Sequence, residues 1–135
     1  IMKIKIIFWI AAVATFLQAL PLYISMLSKE FKLMLIGDVF GESPSSDAIV
    51  MFDQFALVVG LLALGFSFIS IGATTFKDLE VLKRVSFLLF VFSGFFALPD
   101  LISLTQGNPT APLPVIILGL TNMVLLYFGH KKGVV

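Results

Sequence analysis

Cysteine is absent from this 135-residue chain. With it go disulfides, thiolate metal sites, cysteine nucleophiles and thiol redox chemistry. Histidine occurs once, as His130, whereas a stable zinc site draws on three or four protein ligands. Charged residues amount to only 13% of the chain, and the segments that carry them are too short to form a separate hydrophilic module. No GxSxG, HExxH, P-loop or dinucleotide fingerprint is present, and no serine stands in a pattern that would supply it with a buried base.

What remains is overwhelmingly apolar: 59% hydrophobic residues, among them 15 phenylalanines, with a mean hydropathy of +1.10. The apolar residues gather into four stretches, 4–27, 50–73, 85–105 and 112–129. A bilayer core about 30 Å thick takes roughly 20 helical residues to cross. An unpaired backbone group in hydrocarbon costs several kcal/mol, so stretches this long and without period-two alternation are read as helices. The sequence therefore predicts an all-α, four-helix transmembrane bundle as a single integral membrane domain over residues 1–135. Its spans are placed at about 3–27, 47–73, 85–105 and 112–129. The first stretch outruns the apolar core of about 7 to 15 residues typical of a signal peptide and has no clean small-x-small cleavage site, so it is read as a span.

Charge is distributed unevenly between the two sides that alternating loops would face. One side holds Lys3, Lys5, Lys77, Lys83, Arg84, Lys131 and Lys132 against Asp78 and Glu80. The other holds Lys29 and Lys32 against Glu30, Asp38, Glu42, Asp47, Asp53 and Asp100. Short basic loops stay in the cytoplasm, which predicts a multi-pass protein of the cell membrane with both termini cytoplasmic. The basic side is then a feature of the membrane surface, and nucleic acid is not expected as a partner.

Between the first two spans, residues 28–36 mix charges with an apolar patch too short to cross, and are read as an interfacial helix. Residues 37–46 contain Gly41, Pro44 and three serines and read as a turn-rich loop, with Asp47 as a plausible cap of the second span. Lys77 to Arg84 reads as a short charged loop, Gln106 to Pro112 as a tight turn, and the last span is expected to end near Gly129. Pro21 is expected to bend the first span. An internal echo relates Ala19-Leu20-Pro21 with Ile24-Ser25 to Ala97-Leu98-Pro99 with Ile102-Ser103, and Gly60-Leu61 to Gly119-Leu120. It suggests two parallel helical hairpins about an axis along the membrane normal.

In the second span Ala56, Gly60, Ala63, Ser67 and Ser70 recur four, three, four and three residues apart, one stripe of small side chains. Helix association in lipid relies on close packing, so this stripe is expected to meet Ala12, Thr15 and Ala19 of the first span. Asn122, near mid-membrane, is expected to hydrogen-bond between helices. Phe87, Phe90, Phe92, Phe95 and Phe96 of the third span either face lipid or line a site for a lipophile.

Polar groups inside spans are costly, which makes them the candidates for function. Gln18, Asp53, Gln54 and Asp100 fall at similar outer depths and are expected to form a polar ligand-binding cluster; were Asp53 and Asp100 to meet, they would share a proton or a cation. No metal ligand set and no catalytic residue is assigned.

The lysine-led first span, the acidic outer loop, Phe52-Asp53-Gln54 opening a Gly-rich second span, the stretch from Gly94 to Ser103, and Asn108-Pro109 before the last span resemble an uncharacterised family of small bacterial four-helix membrane proteins, DoxX-like in general shape. That resemblance implies the fold and carries no functional residues. The expected role is a non-catalytic accessory or scaffold subunit of a larger membrane complex, with the bilayer and other membrane subunits as partners. The alternative is a binder or carrier of a small lipophilic molecule, a lipid, quinone or pigment, in an outer-leaflet pocket.

Overall fold

A computed structural model describes residues 2–41, 43–108 and 111–135. Five helices follow in order: α1 (Ile4–Leu27), α2 (Lys29–Phe40), α3 (Ser46–Ala73), α4 (Leu79–Thr105) and α5 (Leu113–Lys132). Four of them, α1, α3, α4 and α5, are long and apolar enough to span a membrane. Only 22–39% of their most apolar windows is buried within the protein, so most of this hydrocarbon surface faces outward, as in a multi-pass membrane protein and not a soluble bundle. Glu42 of the acidic outer loop, and Pro109 and Thr110 of the turn expected before the last span, lie outside the described residues.

Several element ends differ from the sequence reading, each for a local reason. The Lys77 to Arg84 loop is mostly helix: Asp78 accepts a hydrogen bond from the Val81 amide at 3.1 Å and caps α4, and Leu82 is fully buried. Capping and one buried apolar contact outweigh the low hydropathy of these turns. The cap of α3 is Ser45, whose hydroxyl accepts from the Ala48 amide at 3.1 Å. Asp47 sits instead in the first turn, where the helix dipole favours a carboxylate. α2 runs through Gly37 to Phe40, beyond the expected 36, and ends at Gly41, whose φ of +94° suits glycine. α5 continues through Gly129 to Lys132 because that glycine is packed between helices. α1 and α4 remain helical through Pro21 and Pro99.

α1 is the hub. It packs extensively on α3 and α5, and also on α2, while α4 packs on α5; α3 and α4 touch only slightly. Ala12 lies opposite Ser67 and Tyr23 opposite Gly60, so α1 and α3 run antiparallel. The termini lie at one end of the bundle, where the Ile4 amide donates to the Val134 carbonyl at 2.8 Å and the Val134 amide to that of Met2 at 3.3 Å. Bulky apolar packing concentrates at this same end: Ile4, Ile7, Phe8 and Ala11 interlock with Phe66 and Ala73 of α3, Leu82 and Leu89 of α4, and Leu126 of α5. Farther from the termini the interior is mostly small and polar side chains, with Ile36 and Ile116 the large apolar residues buried there.

Candidate functional site

The small-residue stripe of α3 lies against α1. Ala56, Gly60, Ala63, Ser67 and Ser70 are all buried, as are Ala12, Thr15 and Ala19. Small side chains bring the backbones close enough for direct side-chain-to-backbone bonds: the Ser67 hydroxyl donates to the Ala12 carbonyl at 2.8 Å, and the Tyr23 hydroxyl to the Gly60 carbonyl at 2.7 Å. Ser70 turns back on its own helix, donating to Phe66 at 2.9 Å. A Cβ at Gly60 would come within 2.9 Å of the Tyr23 ring, so glycine is what lets the ring lie flat on α3. Tyr23→Phe is expected to keep the packing and lose the one interhelical bond. The cost is about 1 kcal/mol in detergent unfolding, the usual magnitude for such bonds in membrane proteins; an unchanged unfolding midpoint would show that the bond contributes nothing.

Thr15 faces α5 as well. Asn122, 1% exposed, donates from Nδ2 to the Thr15 hydroxyl at 3.0 Å and to the Ala11 carbonyl at 3.4 Å, and its Oδ1 is buried without a hydrogen-bond partner. One turn along α1, Gln18 donates from Nε2 to the Val115 carbonyl at 3.2 Å. A Cβ at Gly119 would sit 2.6 Å from that nitrogen, so the absence of a side chain there makes room for the Gln18 amide. Gln18, Thr15 and Asn122 therefore form a polar seam between α1 and α5.

The four polar residues grouped by depth belong to different places in the bundle. Gln18 borders a crevice between α1, α3 and α4, walled by Phe66, Phe92 and Phe96 and completed by Thr15, Ala63 and Ser93. Phe66 and Phe92 stack at 5.4 Å between ring centres, so aromatic faces stand where α3 and α4 approach. Asp53 and Gln54 lie on the other flank of α3. There they line a second cleft with Ser25, Met26, Lys32 and Leu57, between α1, α2 and α3. Asp100, half-buried, stands one helical turn beyond Phe96 on α4.

Lys32 is the residue missing from the sequence-based cluster. Its ammonium lies 3.1 and 3.4 Å from the two carboxylate oxygens of Asp53, so the Asp53 charge is balanced by a cation from α2. Charge reversal along residues 28–36 signals only a surface helix; the pairing depends on how α2 turns back toward α3. Among the described residues no group of three or more His, Asp or Glu side chains is placed to hold a metal ion.

At the opposite end, His130 Nδ1 lies 3.1 Å from the Lys83 carbonyl, and its ring tilts against Phe87 at 5.0 Å. A carbonyl can only accept, so Nδ1 carries the proton, and the ring ties the end of α5 to the start of α4.

Comparison with protein-family models, with curated proteins and with solved structures finds no match to the chain.

Proposed function

We propose that this chain is a non-catalytic accessory or scaffold subunit of a larger membrane assembly in a cell membrane, with both termini in the cytoplasm. The observation that supports it is the slight contact between α3 and α4. If the two halves of the chain are repeats, α1 corresponds to α4 and α3 to α5, so the α3–α4 seam is the counterpart of α1–α5. The α1–α5 seam is closed by the Asn122 and Gln18 bonds. Its counterpart carries Ala63 and Phe96 at the corresponding positions. It leaves exposed Leu62 and Ile69 of α3, each one turn from Phe66, and Leu88 and Phe95 of α4, each one turn from Phe92, with Phe95 71% exposed. Such a face suits a spanning helix of another subunit, whose association in lipid needs packing surface and not hydrophobic drive. The surplus of lysine and arginine at the terminal end supports the orientation.

Purification in mild detergent, with a photo-crosslinking residue at Phe95 or Ile69 and a control at Val124 on the far side of α5, tests this reading. A stoichiometric heteromeric complex is expected, with crosslinks from the first two positions and none from the third. A monodisperse chain without a partner would overturn it.

A second reading, a binder or carrier of a small lipophilic molecule such as a lipid, quinone or pigment, draws on the crevice with aromatic walls beside Thr15 and Gln18, whose free volume of about 10 Å³ requires α3 and α4 to part before such a molecule enters. It predicts a monodisperse protein from which solvent extracts one defined lipophile.

A further inference from the structure

We infer that the cleft at Lys32 and Asp53 binds the headgroup of a zwitterionic lipid with a primary ammonium, the phosphatidylethanolamine class. The headgroup phosphate meets Lys32 and its ammonium meets Asp53. This goes beyond the assembly role proposed above and involves the opposite flank of α3, so it stands or falls independently.

The depth is that of a headgroup. Asp53 lies seven residues past Ser46, the first residue of α3, or about 10 Å along the helix at 1.5 Å per residue. The Lys32 side chain is 18% exposed and that of Asp53 49%. The lysine stem is therefore covered by protein, while the carboxylate opens onto the cleft. An ammonium has three donors and a carboxylate about four acceptor positions, and their contact with each other uses only part of both. The pair thus presents a fixed cation beside a fixed anion, at the mouth of an opening of about 350 Å³. Gln54 adds an amide donor for phosphate or ester oxygens. Met26 and Leu57, both about half exposed, supply an apolar edge along which the first methylenes of an acyl chain can lie.

Charge selects the class. The pair has no net charge, and Glu30, Asp38 and Asp47 outweigh Lys29 at the same end of the bundle, which disfavours an anionic lipid at a site that already holds a carboxylate. A choline headgroup matches the overall charge but has no N–H to give Asp53. A primary ammonium can donate to the carboxylate while its phosphate accepts from Lys32, and charge-assisted bonds of this kind are the strong ones.

The test is native mass spectrometry of the full chain extracted from vesicles that contain equal amounts of phosphatidylethanolamine, phosphatidylcholine and phosphatidylglycerol. The unmodified protein is expected to retain phosphatidylethanolamine about tenfold over either competitor, the ratio that one bond to a charged group sustains. Asp53→Asn is expected to abolish the preference over phosphatidylcholine, Lys32→Gln to lower total retention, and Lys29→Gln to change neither. Retention of phosphatidylglycerol above the other two, equal retention of all three, or no retained lipid in the unmodified protein would each overturn the assignment. Because those outcomes are read on the unmodified chain, a variant that fails to fold does not rescue it.

Discussion

Gly129→Leu is expected to unfold the end of the bundle that holds the termini, at a cost of about 3 kcal/mol or more. A Cβ at this position would lie 2.8 Å from the Ser86 hydroxyl, 3.1 Å from Ile7 Cδ1 and 3.4 Å from Ile4 Cγ1. None of these neighbours has slack. The Ser86 hydroxyl is committed to the Leu126 carbonyl at 2.6 Å, and Ile4 and Ile7 are fully buried in the main apolar cluster. Gly129 is where α1, α4 and α5 converge, so a branched side chain must push all three apart, and close-packed interiors resist such expansion. Gly65→Leu is the control: nothing lies within 4 Å of a Cβ there, and α3 should gain helix propensity at no packing cost. Equilibrium unfolding of both variants in the same detergent decides the matter. Equal stability of the two would mean that α5 does not sit against α1 and α4 as described.

The other large effect is expected at Asn122, and it depends on which group replaces the amide. Asn122→Asp keeps the shape but turns the bond to the Ala11 carbonyl into a repulsion, because an ionised carboxylate has no proton to give; the Thr15 hydroxyl can reverse and donate, which offsets only part of the loss. Among the described residues no salt bridge reaches this position, so the new charge would be buried with no counter-charge beside it, at a cost of about 3 to 5 kcal/mol. Asn122→Leu, of similar volume, is expected to change stability by less than about 1 kcal/mol. It loses two modest interhelical bonds, but it also removes an Oδ1 that is buried without a partner, and an orphaned polar atom is itself costly. The freed Thr15 hydroxyl can donate to the Ala11 carbonyl one turn back. Thermal or denaturant unfolding should therefore order the three proteins as Asn122 and Asn122→Leu close together, with Asn122→Asp far below. If the aspartate variant were as stable as the leucine variant, Asn122 would have to be in contact with water.

The spans are legible in the sequence because hydropathy over roughly 20 residues is a property of composition, and lipid enforces helix on any such stretch. Ala56 to Ser70 is legible as a stripe because spacings of four and three follow the helix period. Less legible is where helices begin in charged sequence. Leu79 to Arg84 carries three charges in six residues, which lowers hydropathy, yet the Asp78 cap and the burial of Leu82 extend α4 through it. The grouping of Gln18 with Asp53, Gln54 and Asp100 rested on depth alone, and depth leaves the angle around each helix axis free. Gln18 turns toward α5, whereas Asp53 turns toward α2 and finds Lys32, 21 positions away in the chain. No local pattern encodes a pairing across two helices and a loop; it follows from the angle at which α2 leaves α1.

Interlocked isoleucine, leucine and phenylalanine side chains clamp the four rods where the polypeptide starts and finishes, while alanine, glycine and lone amides space them elsewhere. Such a molecule resembles a pair of tweezers gripped at its base. If the rods part, the loosely packed end is expected to open more than the interlocked base, so displacement should grow with distance from Ile4 and Leu126.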